Sequence, residues 1–357
     1  MSKTLRLIAL FAVIVIVCGV AAAIFAVTYT SPNTPKIGIV IDGKLKTKLK
    51  PTITINNEEV SFADYRYYFL VSKSQIVADQ ETEADSSVSI DVSSYWADDP
   101  DGSKTNQLKQ EVEDAILDLH AWIEIGKKLG VGLGEDEKAE VASQVKEFEQ
   151  QAGTDLDAIL AQNYLIDLNQ MQNMWELQAL IGKIIPEARR LLYAENKEEW
   201  AKDYTSVEHI LFEFENEEPT QKEIDAVKKK AQAIYAQIEA SENPEETFAE
   251  MRELYDADAE AQADDGHTFG PEDMVEEYEV AAKDLEIGEI SKPVETDHGF
   301  YIILRKPLNT DYLDANWNTL FLTKMNDILV EQKDAIRAGF EVEYADYFDQ
   351  ITATNVE

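Results

Sequence analysis

The stretch Pro271–Lys306, PEDMVEEYEVAAKDLEIGEISKPVETDHGFYIILRK, decides how the second half of the chain folds. Met274, Tyr278 and Ala282 recur at four-residue steps, which places them on one face of a helix. The turn EIGE, a short strand ISKPVET, a turn at Asp297–Gly299 and a final strand FYIILRK follow. Upstream, VEHILFEFE from Val207 alternates only imperfectly, as a strand covered on both faces does. Between them lie a helix carrying Ile224, Val227, Ala231, Ile234 and Ile238, and a second one opened by Pro244 with Phe248, Met251 and Tyr255 on one side. The loop DADAEAQADDGHTFG then leads to Pro271, so the expected order is β, α, α, α, β, β.

The residues before Val207 have a different texture. Ile53 and Ile55 alternate like a strand, Asn56-Asn57 suits a tight turn, and Ser61 is placed to cap a helix carrying Tyr65, Phe69 and Leu70. Residues 78–105 are rich in Asp, Glu and Ser around Tyr95 and Trp96, show no period, and read as an exposed acidic insertion. Leu108, Val112, Ile116, Leu119 and Ile123 mark an amphipathic helix stopped by Gly130. Further helices carry Val141, Val145 and Phe148, then Leu160, then a long run from Asn169 to Tyr193 with Pro186 as a kink. In that run Met171, Met174, Trp175 and Leu177 suit either core packing or a soft surface that grips unfolded peptides. Helix returns over 309–357, with Trp317, Leu320, Phe321 and Leu329 spaced to cover an apolar partner, for which the earlier helical region is the natural choice.

Composition narrows the function. Seventy acidic against 32 basic residues give a formal charge of −38, so nucleic-acid backbones and anionic surfaces would repel the chain. The one cysteine, Cys18, lies in the most apolar stretch, which removes disulfides and thiolate chemistry from the rest. Four histidines, His120, His209, His267 and His298, lack metal-ligand spacing, and neither metal nor other cofactor is expected. Leu7–Val27 is 21 residues without a charge, long enough as a helix to span a bilayer, with Lys3 and Arg6 before it. The positive-inside bias predicts a single-pass anchor in the cell membrane with the bulk of the chain outside; a cleaved signal peptide is the competing reading.

The segment from His209 to Lys306 resembles the parvulin family of peptidyl-prolyl isomerases. VEHILF and the Pro271–Lys306 stretch carry that pattern in register. The helical region from ITINNEEVSF to KKLGVGLGEDE looks like the chaperone portion of extracytoplasmic foldases of the PrsA and SurA type. The resemblance implies an α+β architecture in which a parvulin domain of βα3β2 type is inserted into a helical, SurA-like chaperone domain. The expected divisions are 1–30 for the cytoplasmic N-terminus and anchor, 31–50 for a linker, 51–205 for the chaperone domain, 206–308 for the isomerase domain, and 309–357 returning to the chaperone domain. The implied partners are unfolded, newly exported proteins containing X–Pro bonds. The implied activity is their cis–trans isomerisation, and the alternative is a non-catalytic holdase whose parvulin domain is degenerate.

The resemblance also proposes a site. Phe269, Met274 and Tyr278 would hold the proline ring. His209 would belong to a hydrogen-bonded polar floor, with Tyr301 where the family places a second histidine, and Asp258 would stand near the rotating carbonyl. The family's Gly-Gly-Asp-Leu-Gly is replaced here by Asp264-Asp265-Gly266-His267-Thr268, without its leucine. His267 and His298 read as turn histidines and His120 as a helix-edge residue; none of these three is assigned a role.

Overall fold

The computed structural model describes residues 38–84, 90–216, 218–257 and 266–356. The expected anchor, Leu7–Val27, lies outside them; among the described residues no helix is long and apolar enough to cross a membrane. The chain divides into two compact units, one of residues up to Ala188 together with Asn326–Glu357, the other Arg189–Met325.

Among the described residues, the first unit opens with strands β1 (Ile39–Ile41) and β2 (Lys44–Lys46), then β3 (Ile53–Ile55) and β4 (Glu58–Val60). Helices α1 (Phe62–Ala84), α2 (Val92–Ala97), α3 (Ser103–Leu129), α4 (Glu135–Ala152) and α5 (Leu156–Gln162) follow, and the division between units falls inside α6 (Leu168–Trp200). Asn56 and Asn57 turn the β3–β4 hairpin with φ of 48° and 69°, a left-handed pair that asparagine tolerates. Ser61 caps α1 by accepting from the Asp64 amide, and Gly130 ends α3 at φ 69°.

Two expectations change here. The supposed linker contains the β1–β2 hairpin, and Ile39 and Ile41 are buried in the core. Its Asp42-Gly43 turn, with φ of 52° and 70°, is a strong hairpin signal that the neighbouring run of lysines masks. The acidic stretch is not wholly an exposed insertion either. Trp96 on α2 is 1% exposed, and its Nε1–H donates to the Lys73 carbonyl at 3.2 Å. An aromatic pair among acids shows no period, so only the packing reveals Trp96 as core.

The second unit holds β5 (Thr205–Glu213), α7 (Gln221–Glu239), α8 (Pro244–Tyr255), β6 (His267–Phe269), α9 (Glu276–Asp284), β7 (Val294–Thr296), β8 (Gly299–Lys306) and α10 (Thr310–Leu320). Its antiparallel sheet has the order β6-β5-β8-β7, with His209 opposite Ile303 and Leu211 opposite Tyr301. One face, with Ile210, Phe212, Phe300, Ile302 and Leu304, packs on α7 and α8 through Ala231, Ile234, Ile238 and Phe248. The opposite face, with Val207, Leu211, Tyr301 and Ile303, packs on α9 through Tyr278 and Ala282. The two central strands are therefore apolar on both sides. Strand β6 departs from the expected βα3β2 order: three residues are too few to alternate visibly, and pairing of Val207 with His267 creates the strand. Trp317 and Phe321 stack on Tyr193, with ring centroids 5.4 and 5.5 Å apart.

The division falls again inside α11 (Leu322–Arg337), after which β9 (Val342–Tyr344) belongs to the first unit and pairs with β3, Ile53 opposite Tyr344. Tyr347 and Ile351 join the core of Ile53, Tyr65 and Leu108, so the last residues of the chain complete the first unit. Val141, Val145, Leu160 and Met171 form a smaller cluster. Phe148 and Trp175 pack edge to face beside it at 6.1 Å.

Candidate active site

The α9 face of the β5–β8 sheet gathers most of the residues singled out in the sequence. His209 projects from the middle of β5 and is 1% exposed. Tyr278, fully buried on α9, meets it with its hydroxyl 2.7 Å from His209 Nδ1, a hydrogen bond in low dielectric. The Tyr301 ring from β8 stands edge-on to His209 at 5.0 Å and to Tyr278 at 4.9 Å. Phe269 from β6 lies 5.8 Å from Tyr278, and Met274, half-buried, packs against the same cluster. Five of the six proposed residues thus share one place in the fold. The sixth, Asp258, lies outside the described residues.

Their burial gives them unequal parts. Tyr278 and Phe269 were expected to form an open cup for a proline ring, but at 0% and 4% exposure they lie beneath the surface. Met274 is the apolar member with exposed surface, and the tyrosine hydroxyl points down to His209 rather than out to solvent. The reason lies in the pleat. Side chains at 209 and 301 come from strands buried on both faces, and α9 seals that layer with its four-residue stripe.

Sequence reasoning missed two neighbours. His267 is not a turn histidine: β6 lays its imidazole parallel to that of His209, centroids 5.0 Å apart at an interplanar angle of 8°. Gly266 permits this approach, since at φ 66° a Cβ there would come within 2.4 Å of the Val207 carbonyl oxygen. Asp256, just after α8, has a fully buried side chain whose Oδ1 accepts from the Leu211 amide at 2.9 Å, pinning β5 two residues beyond His209. The Asp in Tyr255-Asp256 was available as a helix-end signal, but one acid in an acidic loop does not stand out. The remaining histidines are elsewhere. His298 is an exposed turn residue, and His120 on α3 has Nδ1 3.4 Å from a Glu58 carboxylate oxygen.

A sheet face carrying this polar and aromatic layer is closed by α9, with Met274 at the edge of the same cluster. Residues 209–306 match the family model described as Rotamase, PPIC-type PPIASE domain, so the chain carries a parvulin-type domain. Among known proteins, the chain is 26% identical over 297 residues to a foldase protein PrsA of Caldanaerobacter subterraneus subsp. tengcongensis, spanning 79% of this chain and 83% of the relative. It is 35% identical over 153 residues to the foldase protein PrsA of Halalkalibacterium halodurans, spanning 42% of this chain and 38% of that one. A solved structure of the peptidylprolyl isomerase PrsA from Bacillus cereus aligns with a TM-score of 0.31 at 20% identity, over 71% of this chain and 84% of that one.

Proposed function

We propose that this protein is a membrane-anchored extracytoplasmic foldase that isomerises X–Pro bonds in its parvulin-type domain and holds unfolded exported chains in its helical unit. The observation that carries the reading is the buried layer in which His209 hydrogen-bonds Tyr278 and the Tyr301 ring stands edge-on to both, with Met274 packed against it, within the matched segment. Rotation about an X–Pro bond is slow, taking tens of seconds or more uncatalysed, and faces a barrier of about 18–20 kcal/mol. No bond breaks, so the catalyst has only to favour the twisted amide over the planar one. Met274 offers an apolar contact for the ring, and fixed hydroxyl and imidazole dipoles beneath it favour a carbonyl whose polarity changes as resonance is lost. Asp258 would add a carboxylate beside that carbonyl.

The complete burial of Tyr278 favours a second reading, a holdase in which the domain binds or spaces without catalysing. Relaxation of a short cis X–Pro peptide towards trans, followed with the full chain, separates the two. We expect acceleration over buffer, and a loss of about tenfold or more in Met274→Ala, equivalent to about 1.4 kcal/mol of transition-state stabilisation. Asp258→Ala should slow the reaction in the same direction. A wild-type rate equal to buffer retires the catalytic reading, and suppression of aggregation of a denatured client then supports the holdase.

A further inference from the structure

The first unit contains a cavity of about 470 Å³ between α1, α4, α5 and the start of α6. That volume falls within the range of ligand sites, roughly 300–1,000 Å³. Its floor is apolar, with Val71, Leu160 and Met171 buried and the edge-to-face pair Phe148 and Trp175 at one side. The rest of its lining is unusual for so acidic a chain. Five side chains are carboxamides, Gln75, Gln144, Gln151, Gln162 and Asn163, while Glu147 is the one carboxylate. Gln75 donates to Asp79, and Asn163 donates to the Ile159 carbonyl, so those two amides are engaged within the chain.

We infer that this cavity takes an uncharged, extended peptide segment bearing one bulky apolar side chain, an inference that builds on the holding role proposed above. Each carboxamide presents a donor and an acceptor, the same pair that a peptide group presents. Gln144, Gln151 and Gln162 can therefore pair with a guest's main chain whatever its sequence. The apolar floor takes the side chain, and Met171, flexible and polarisable, adapts to its shape. A charged guest side chain would lose water there without a counter-ion of either sign beyond Glu147, an unfavourable exchange. The site selects against charge even though the chain as a whole, at −38, attracts cations.

The test uses the full chain and fluorescence anisotropy with labelled proline-free peptides, so that the isomerase site contributes no proline recognition. One peptide carries Leu and Phe among Ser and Asn; two others replace the Ser residues by Asp or by Lys. At about 0.15 M salt, where surface attraction is screened beyond roughly 8 Å, the neutral peptide should bind about tenfold more tightly than either charged one. Trp175→Ala should abolish this preference. Gln144→Glu combined with Gln151→Glu, exposed and nearly isosteric, should weaken neutral-peptide binding about tenfold and favour the Lys peptide, with an unchanged circular dichroism spectrum. Equal binding of all three peptides, or indifference to the paired Glu substitutions, overturns the inference. If the chain still suppresses aggregation of a denatured client in that case, the holding role stands without this cavity; if suppression is also absent, both fall.

Discussion

Tyr278→Phe removes one hydroxyl from the centre of the candidate site and leaves the ring in place. That hydroxyl is 2.7 Å from His209 Nδ1, and both residues are essentially inaccessible to water, at 0% and 1% exposure. Water cannot replace the lost partner, so the penalty approaches the desolvation figure for a buried polar group, about 1–3 kcal/mol, rather than the smaller net value of an exposed hydrogen bond. With a shift of about 4 °C per kcal/mol, intermediate between small and larger domains, melting of the unit containing Arg189–Met325 should fall by about 4–12 °C. Near-ultraviolet circular dichroism of the full chain reports this, because Tyr278, Tyr301 and Phe269 lie in contact. Isomerisation should weaken as well, since the imidazole loses the bond that orients it. Melting unchanged within about 1 °C would refute the claim that this hydrogen bond organises the layer.

Three further outcomes test other parts of the fold. Trp96→Ala should destabilise the first unit by about 3–5 kcal/mol, measured by urea unfolding, because the side chain fills core and not an exposed insertion. Asp118→Ala removes the carboxylate that meets Lys333 at 2.6 Å and Arg337 at 3.1 Å, with Lys333 and Asp118 only 11% and 15% exposed. The loss should be about 2–4 kcal/mol, and Asp118→Asn should recover little of it, since the amide carries no charge. Burial holds the His120 pKa below its ordinary 6.5, although the neighbouring Glu58 carboxylate pulls it upward. The folded state therefore binds this proton less readily than the unfolded chain, and stability from His120 is lost as pH falls below about 6.5. Replacing it with Gln should flatten the decline in melting temperature on the acid side of that value.

Legibility in the sequence followed the length of each signal. The β5 and β8 strands, the Asn56-Asn57 turn and the Ser61 cap all appear where local patterns place them, because each is set by spacing within a few residues, whereas of the expected helical stripe only Tyr278 and Ala282 lie on α9 and Met274 sits in the bend before it. Ile39 and Ile41 were obscured by the lysines around Asp42-Gly43, and Trp96 by acids that lend it no period. Of the candidate site, His209, Phe269, Met274, Tyr278 and Tyr301 were named from the family pattern, while His267 and Asp256 were not. Their positions depend on β6 and the end of α8 meeting β5 from more than forty residues away, as the 2.9 Å contact of Asp256 with Leu211 illustrates.

The amino-acid sequence alone determined which elements form and which strand faces are apolar, since side-chain alternation and helical period are properties of neighbouring residues. Tertiary structure decided which of those faces carry the site. Only the packing of α9 against β5 and β8 turned Tyr278 from an expected open wall into a buried hydrogen-bond partner of His209, and only strand pairing stacked His267 on the same imidazole. Burial and long-range contact are properties of the assembled layers, and no local pattern encodes how deeply a side chain will lie within them.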